Sequence, residues 1–288
     1  MSLIVFLILA LAPGDTATAL AGPDATQADI EALRMSLGLD QPLPIRYLKF
    51  LERLARLDLG RSAVTGRPVT VELRDNLGPT VELAVAAMVI SVVLGLALGT
   101  LSAVNRGGLL DTVFMLLALF GVSMPIFWLG LMLMLLFAVE LGWLPTTGVG
   151  GPQFLVLPAV TLAGGSLAII ARLTRSSMLE VFGEDHVRTA RAKGLPERTV
   201  VVGHVLRNAL IPTVTAIGLQ FGYLLAGTVL TETVFARPGL GRMLVDAINL
   251  RDVGLAQGGI MMLAASFVLV NLAVDVLYVY LDPRIKYG

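Results

Sequence analysis

The sequence predicts an all-α integral membrane protein, a polytopic bundle of about six transmembrane helices whose first helix is truncated. Three observations carry that expectation. Apolar residues make up 56% of the 288-residue chain against 15% charged, with mean hydropathy +0.83, well outside the soluble norm. Five long runs lack Asp, Glu, Lys and Arg. Lys and Arg gather on alternate connections between those runs.

A helix crosses a hydrocarbon core about 30 Å thick in roughly 20 residues. The runs 83–104, 112–139, 154–171, 209–231 and 253–274 meet or approach that length, and the second carries Pro125, where a kink is expected. Residues 1–11 are apolar but too short to span. They read as the remnant of a first transmembrane helix ending at Ala12-Pro13-Gly14-Asp15, and they lack the basic start of a signal peptide.

Orientation follows from the short connections. Residues 105–111, 172–208 and the tail beyond Asp275 hold ten Lys/Arg, whereas 140–153 and 232–252 hold three. The basic side is expected to face the cytoplasm, together with the tail 282–288, which places residues 12–82 outside as a polar insert before the membrane core 83–281. Within the insert, Thr26-Gln27-Ala28-Asp29 reads as a capping box and Gly38 as a helix stop. Leu48, Leu51, Leu54 and Leu57 recur at helical spacing, predicting an amphipathic helix on the outer membrane surface.

Several chemistries are excluded by residue supply. There is no Cys and there are two His, so disulfides, thiolate nucleophiles and the usual metal centres are not expected. Zero net charge gives no reason to expect nucleic acid. No Gly-x4-Gly-Lys-Ser/Thr, His-Glu-x2-His or Gly-x-Ser-x-Gly sequence occurs, so the chain is read as a non-enzyme that binds no cofactor. Asp275, Glu140 and Glu232 fall near the ends of spans, which argues against an ion relay through mid-membrane charges. An ion-gradient transporter or channel is the competing reading, and a membrane enzyme the next. Gly95-x3-Gly99, Gly218-x3-Gly222 and Gly222-x3-Ala226 predict close helix seams. Ser123, Ser166, Gln220, Tyr223 and Asn271 are the polar groups that could line a passage, or could equally bond one helix to another.

The connection 172–208 is too long for a simple reversal and is basic by seven residues to four. It predicts one short helix from Glu184 to Lys193, stopped by Gly194, and a second starting at Pro196 and ending at Asn208, before Ile211-Pro212 re-enters the membrane. Val187, Ala190 and Gly194 fall on one side, flanked by Arg188, Arg191 and Lys193. A small apolar centre with a charged rim is the composition of a knob that seats in another protein's groove.

The stretch Arg188-Thr189-Ala190-Arg191-Ala192-Lys193-Gly194-Leu195, followed by His204-Val205-Leu206-Arg207-Asn208-Ala209-Leu210-Ile211-Pro212, closely resembles the EAA loop of permeases in binding-protein-dependent ABC importers, in the oligopeptide/dipeptide/nickel/glutathione branch. Residues 11–15, 37–44, 142–146, 232–242 and 280–285 extend the resemblance along nearly the whole chain. Ala190, Gly194 and Pro212 match the second alanine, glycine and terminal proline of the pattern. Arg188 and Thr189 depart from its glutamate and first alanine, so a glutamate bridge is not implied.

The resemblance implies the type I ABC importer permease fold and a coupling helix, with Glu184, Asp185, Val187, Arg188, Thr189, Ala190, Arg191, Ala192, Lys193, Gly194 and Leu195 docking on a cytoplasmic ATPase. Arg207, Asn208 and Pro212, with Arg175, would form the hinge at the base of that lever. The implied partners are a homologous second permease subunit in a heterodimer, two ABC ATPase subunits that use ATP and Mg, an external solute-binding protein and the prokaryotic inner membrane. Di- or oligopeptides, or related small solutes, are the implied cargo.

Overall fold

The computed structural model describes residues 2–11, 16–21 and 25–281. Its helices are α1 (Ser2–Leu11), α2 (Thr16–Ala21), α3 (Gln27–Ser36), α4 (Leu43–Ala55), α5 (Val69–Val104), α6 (Leu109–Ser123), α7 (Ile126–Met134), α8 (Gln153–Val181), α9 (Asp185–Ala192), α10 (Glu197–Thr199), α11 (Arg207–Val234), α12 (Leu240–Asn249) and α13 (Val253–Leu281). Two π-helical segments, Leu135–Glu140 and Val200–Leu206, follow α7 and α10. Among the described residues there is no β-strand; a single antiparallel bridge joins Arg61 and Pro68. Four helices are long and apolar enough to cross a membrane, or five if the bent pair α6–α7 is one span. The expected segments 12–15 and 282–288 lie outside the described residues.

The chain divides into two compact units, Met1–Thr80 with Pro238–Ser266, and Val81–Arg237 with Phe267–Gly288. In the first, Val69, Leu73, Leu240, Met243 and Leu255 form the core. The capping box of α3 is present, with the Thr26 hydroxyl and the Asp29 carboxylate each serving the other's backbone amide, and Gly38 closes that helix with φ +67°. The Leu48/Leu51/Leu54/Leu57 stripe does not describe α4. Leu48 is exposed and Leu57 lies past the helix with φ +56°, whereas Phe50 is buried and packs with Tyr47 on Phe6 of α1. A strict three-residue spacing drifts around a 3.6-residue helix, and bulkier aromatics at positions 47 and 50 decide which face turns inward.

The α5 helix begins at Val69, well before the apolar run, because its polar first turns are bonded locally. Glu72 accepts from the Thr65 hydroxyl at 3.0 Å and lies 3.3 Å from Arg67. Pro79 is accommodated within the helix, and next to it the Thr80 hydroxyl donates to the Asn76 carbonyl and accepts from the Leu240 amide. Asp252 accepts from the Ser62 hydroxyl and from the amides of Val64 and Leu255, so this buried acid is fully occupied.

In the second unit α8 is the central helix. A Cβ at Gly99 would lie 2.5 Å from the Ala171 carbonyl, and one at Gly95 2.8 Å from Ile170, so the α5–α8 seam depends on missing side chains. The same holds between α6 and α8, where a Cβ at Gly121 would lie 2.5 Å from the Gly164 carbonyl. A Cβ at Gly222 would lie 2.7 Å from the Phe267 ring. At Met124–Pro125 the chain does more than kink: α6 and α7 are bent by 108°. The proline cannot donate a backbone hydrogen bond and biases Met124 to the extended conformation it adopts.

Candidate functional site

The connection after α8 folds into a compact helical turn. Glu184 is the N-cap residue of α9 and Lys193 the C-cap; Gly194 takes φ +74°, and a Cβ added there would meet no atom within 4 Å. Pro196 caps α10 rather than opening it as its first residue. The second helix does not stop at Asn208: the chain passes from α10 through the π segment Val200–Leu206 straight into α11, which continues past Pro212. The break in α-helical pairing lies at Val200–Leu206, directly before Arg207 and Asn208, where each carbonyl pairs with a residue five positions on.

Of the three residues expected at the centre of the knob, Val187 and Ala190 turn inward and Gly194 is exposed, as are the flanking Arg188, Arg191 and Lys193. Val187 and Ala190 are 0% and 4% exposed, packed with Met178, Val181, Val200, Val205 and Ala209 in the protein's own core. They pack α9 onto the bundle. The exposed stripe instead runs through Asp185, Arg188, Ala192 and Leu195, with Thr189, Lys193 and Gly194 beside it. The Asp185 and Arg188 side chains are 96% and 74% exposed and 3.4 Å apart, too exposed for that pair to add much stability.

Two local clamps fix this face. Arg191 meets the Glu197 carboxylate through two hydrogen bonds, at 2.6 and 3.2 Å, and its guanidinium lies 5.5 Å from the centre of the Phe182 ring, which ties α9 to α10 and to the end of α8. His186 lies 3.0 Å from Glu184 through Nδ1 and 3.3 Å from the Asn208 amide nitrogen through Nε2. One proton on Nδ1 satisfies both contacts, with Asn208 donating to Nε2. Asn208 also donates to the His204 carbonyl at 2.6 Å. Arg207 is exposed and bonds neither clamp.

Sequence reasoning did not find the acid that partners Arg175. Asp111, buried at the start of α6, accepts both Arg175 Nε and Nη2, the Ser102 hydroxyl and the Gly107 amide. The signal was present: Asp111 is the sole acid in residues 83–139, and connectivity puts it at the same end of the bundle as Arg175. An acid in the first turn of α6 also complements the helix dipole.

The polar residues within spans divide. Ser166 and Gln220 are bonded to each other at 3.1 Å, and with Tyr223 they border a cleft of about 500 Å³ beside the α6–α7 break. The rest of its lining is chiefly small or apolar, including Met124, Gly165 and Leu224. Tyr223 is 70% exposed, so most of its ring is left uncovered by its own chain. Ser123 does not border the cleft and its hydroxyl turns back to the Leu119 carbonyl. Asn271 lies beside Gly222, again off the cleft.

Residues 95–287 match the family described as binding-protein-dependent transport system inner membrane component, and residues 1–84 match its N-terminal companion. The chain is 48% identical to a glutathione transport system permease protein, GsiC, of Pectobacterium atrosepticum, over 99% of this chain and 93% of that one. It is 45% identical to the GsiC protein of Escherichia coli K12, over 100% and 94%. Among solved structures, a chain of the MetNI methionine ABC transporter in an inward facing conformation superposes with TM-score 0.63 at 20% identity, covering 73% of this chain and 96% of that one. An amino acid ABC transporter chain gives 0.55 at 17% identity, covering 75% and 95%. These likenesses establish the type I ABC importer permease fold.

Proposed function

The chain belongs to the family of binding-protein-dependent transport system inner membrane components, and from that premise we propose that it is the glutathione-conducting permease subunit of an ATP-driven importer. It is a transport component and not an enzyme. The relatives named as glutathione permeases support glutathione over di- and oligopeptides in general. In this reading the complex also contains a homologous second permease, two ATPases that bind ATP and Mg, and an external solute-binding protein. The turn 184–212 and the C-terminus face the cytoplasm of a prokaryotic cell, as the distribution of Lys and Arg supports.

The observation that carries the coupling role is the division of α9 into an anchored and an open face. Val187 and Ala190 fasten the helix to the bundle, so a push on Asp185, Arg188, Thr189, Ala192 and Leu195 reaches α8 and α11 through packed side chains rather than through a flexible tether. ATP-driven closure of the ATPases would drag the paired turns together and bias the bundle from inward-open to outward-open, provided the contacts differ between the two states. The cleft at Ser166, Gln220 and Tyr223 is the stretch of path assigned to this chain, and its exposed tyrosine would face the sister subunit across it.

Single cysteines at Ala192 and Ala190, with ATPase subunits co-expressed, test the docking face. Crosslinks to the ATPase at position 192 that respond to ATP and vanadate, with none at 190, are expected. Crosslinking at 190 alone would refute the assignment.

A further inference from the structure

The first unit contains a cavity of about 640 Å³ that shares no lining residue with the cleft at Ser166, Gln220 and Tyr223. That volume suits a single small ligand. Its floor is apolar: Phe50 is buried and stacks with Phe6 at 6.0 Å between ring centres, and Leu59 borders the same space.

Its wall is basic. Arg46, Lys49 and Arg53 fall at i, i+3 and i+7 of α4, so they share one helix face, and Arg56 at the helix's C-cap and Arg61 of the following loop join them. Only Glu52 and Asp58 oppose these five cations in the lining. Glu52 is taken by Arg56 at 2.8 Å, Asp58 accepts the Gly60 amide, and Arg61 donates to the Gly66 carbonyl. Among the described residues, Arg46, Lys49 and Arg53 meet no acidic side chain, which leaves three uncompensated cations around one concavity. A helix face that is merely solvated disperses its charge into water; cations gathered around a hollow focus a positive potential into it.

We propose that this cavity binds a small organic anion carrying two carboxylates, of the size and charge of glutathione, held by Arg46, Lys49 and Arg53 over the Phe50 floor. The idea rests on the glutathione-importer reading for the identity of the anion. On that reading the cavity lies on the outer side of the membrane and serves as a low-affinity station for solute leaving the binding protein.

The assembled importer in nanodiscs of uncharged lipid, without binding protein, is titrated with glutathione. Saturable binding is expected. It should weaken by about tenfold or more in the triple variant Arg46→Gln/Lys49→Gln/Arg53→Gln, as charge-assisted hydrogen bonds to carboxylate are lost, survive in Arg53→Lys, and vanish for glutathione with both carboxylates esterified. Equal affinity in the triple variant and the parent overturns the site. So does an outcome in which glutathione fails to bind and the same three residues instead retain phosphatidylglycerol in nanodiscs containing it, since the occupant would then be a lipid headgroup. Glutathione uptake by the same complex reconstituted into liposomes, with binding protein at the accessible face, separates the two claims: uptake that ignores ATP defeats the importer reading, whereas ATP-driven uptake with unchanged binding in the triple variant defeats the cavity alone.

Discussion

Arg175 donates Nε and Nη2 in parallel to the two carboxylate oxygens of Asp111, each at 2.8 Å. Because Asp111 also accepts from Ser102 and from the Gly107 amide, a single anion joins α5, α6, α8 and the loop between α5 and α6, on the same helix that leads into α9. The site is built for a negative charge at position 111 and not for an ion pair of either polarity.

Arg175→Leu should therefore destabilise the protein by roughly 3 kcal/mol, the low end for stranding one partner of a buried pair. The exchange Asp111→Arg with Arg175→Asp should fail to restore it, since the hydroxyl and amide would still point at position 111. Thermal unfolding of the purified protein reads both variants, and recovery in the exchange would show that the pair is symmetric.

At Gly194 the space around the missing side chain is open, so any substitution effect comes from the backbone. Gly194→Val should cost about 1–2 kcal/mol at φ +74° and lower transport, while Gly194→Asn, which tolerates that conformation, should stay near the parent. Equal transport by the two variants would remove the left-handed cap from the account.

Positions 190 and 192 should behave oppositely. Ala190→Arg forces a cation into the cluster of Val187, Val200 and Val205 and should lower the amount of folded protein in the membrane. Ala192→Arg lies on the open face and should leave abundance unchanged while reducing ATPase stimulation by loaded binding protein. Quantitative blots alongside ATPase rates distinguish the two effects.

Gly121→Ala should destabilise by about 1–3 kcal/mol, because its new methyl meets backbone at Gly164 that cannot step aside. Gly107→Ala, with open space but φ +75°, should cost less. Unfolding midpoints of the two variants decide the order.

The helical membrane class was legible because burial in lipid writes itself as uncharged runs, and the turn at Gly194 because left-handed backbone favours glycine. What escaped was tertiary. Which face of α9 turns inward depends on Met178, Val200 and Val205 arriving from other segments, and a single amphipathic helix does not say whether its apolar side is sated by its own chain or by a partner. The same ambiguity misplaced the buried face of α4, which Phe6 selects from a distant stretch of the sequence. Asp111 and Arg175 lie on different spans, so their pairing follows from packing rather than from spacing. Ser166, Gln220 and Tyr223 converge on one cleft, whereas Ser123 and Asn271 do not, and hydropathy treats all five alike.

The central claim is that this bundle is moved from outside itself through the open face of α9. Its most direct measurement is glutathione uptake by liposomes holding the permease pair, with and without the ATPases, with binding protein supplied at the accessible face. Accumulation that requires ATP hydrolysis and disappears in Ala192→Arg is the predicted result. Concentrative uptake by the permeases alone would contradict it.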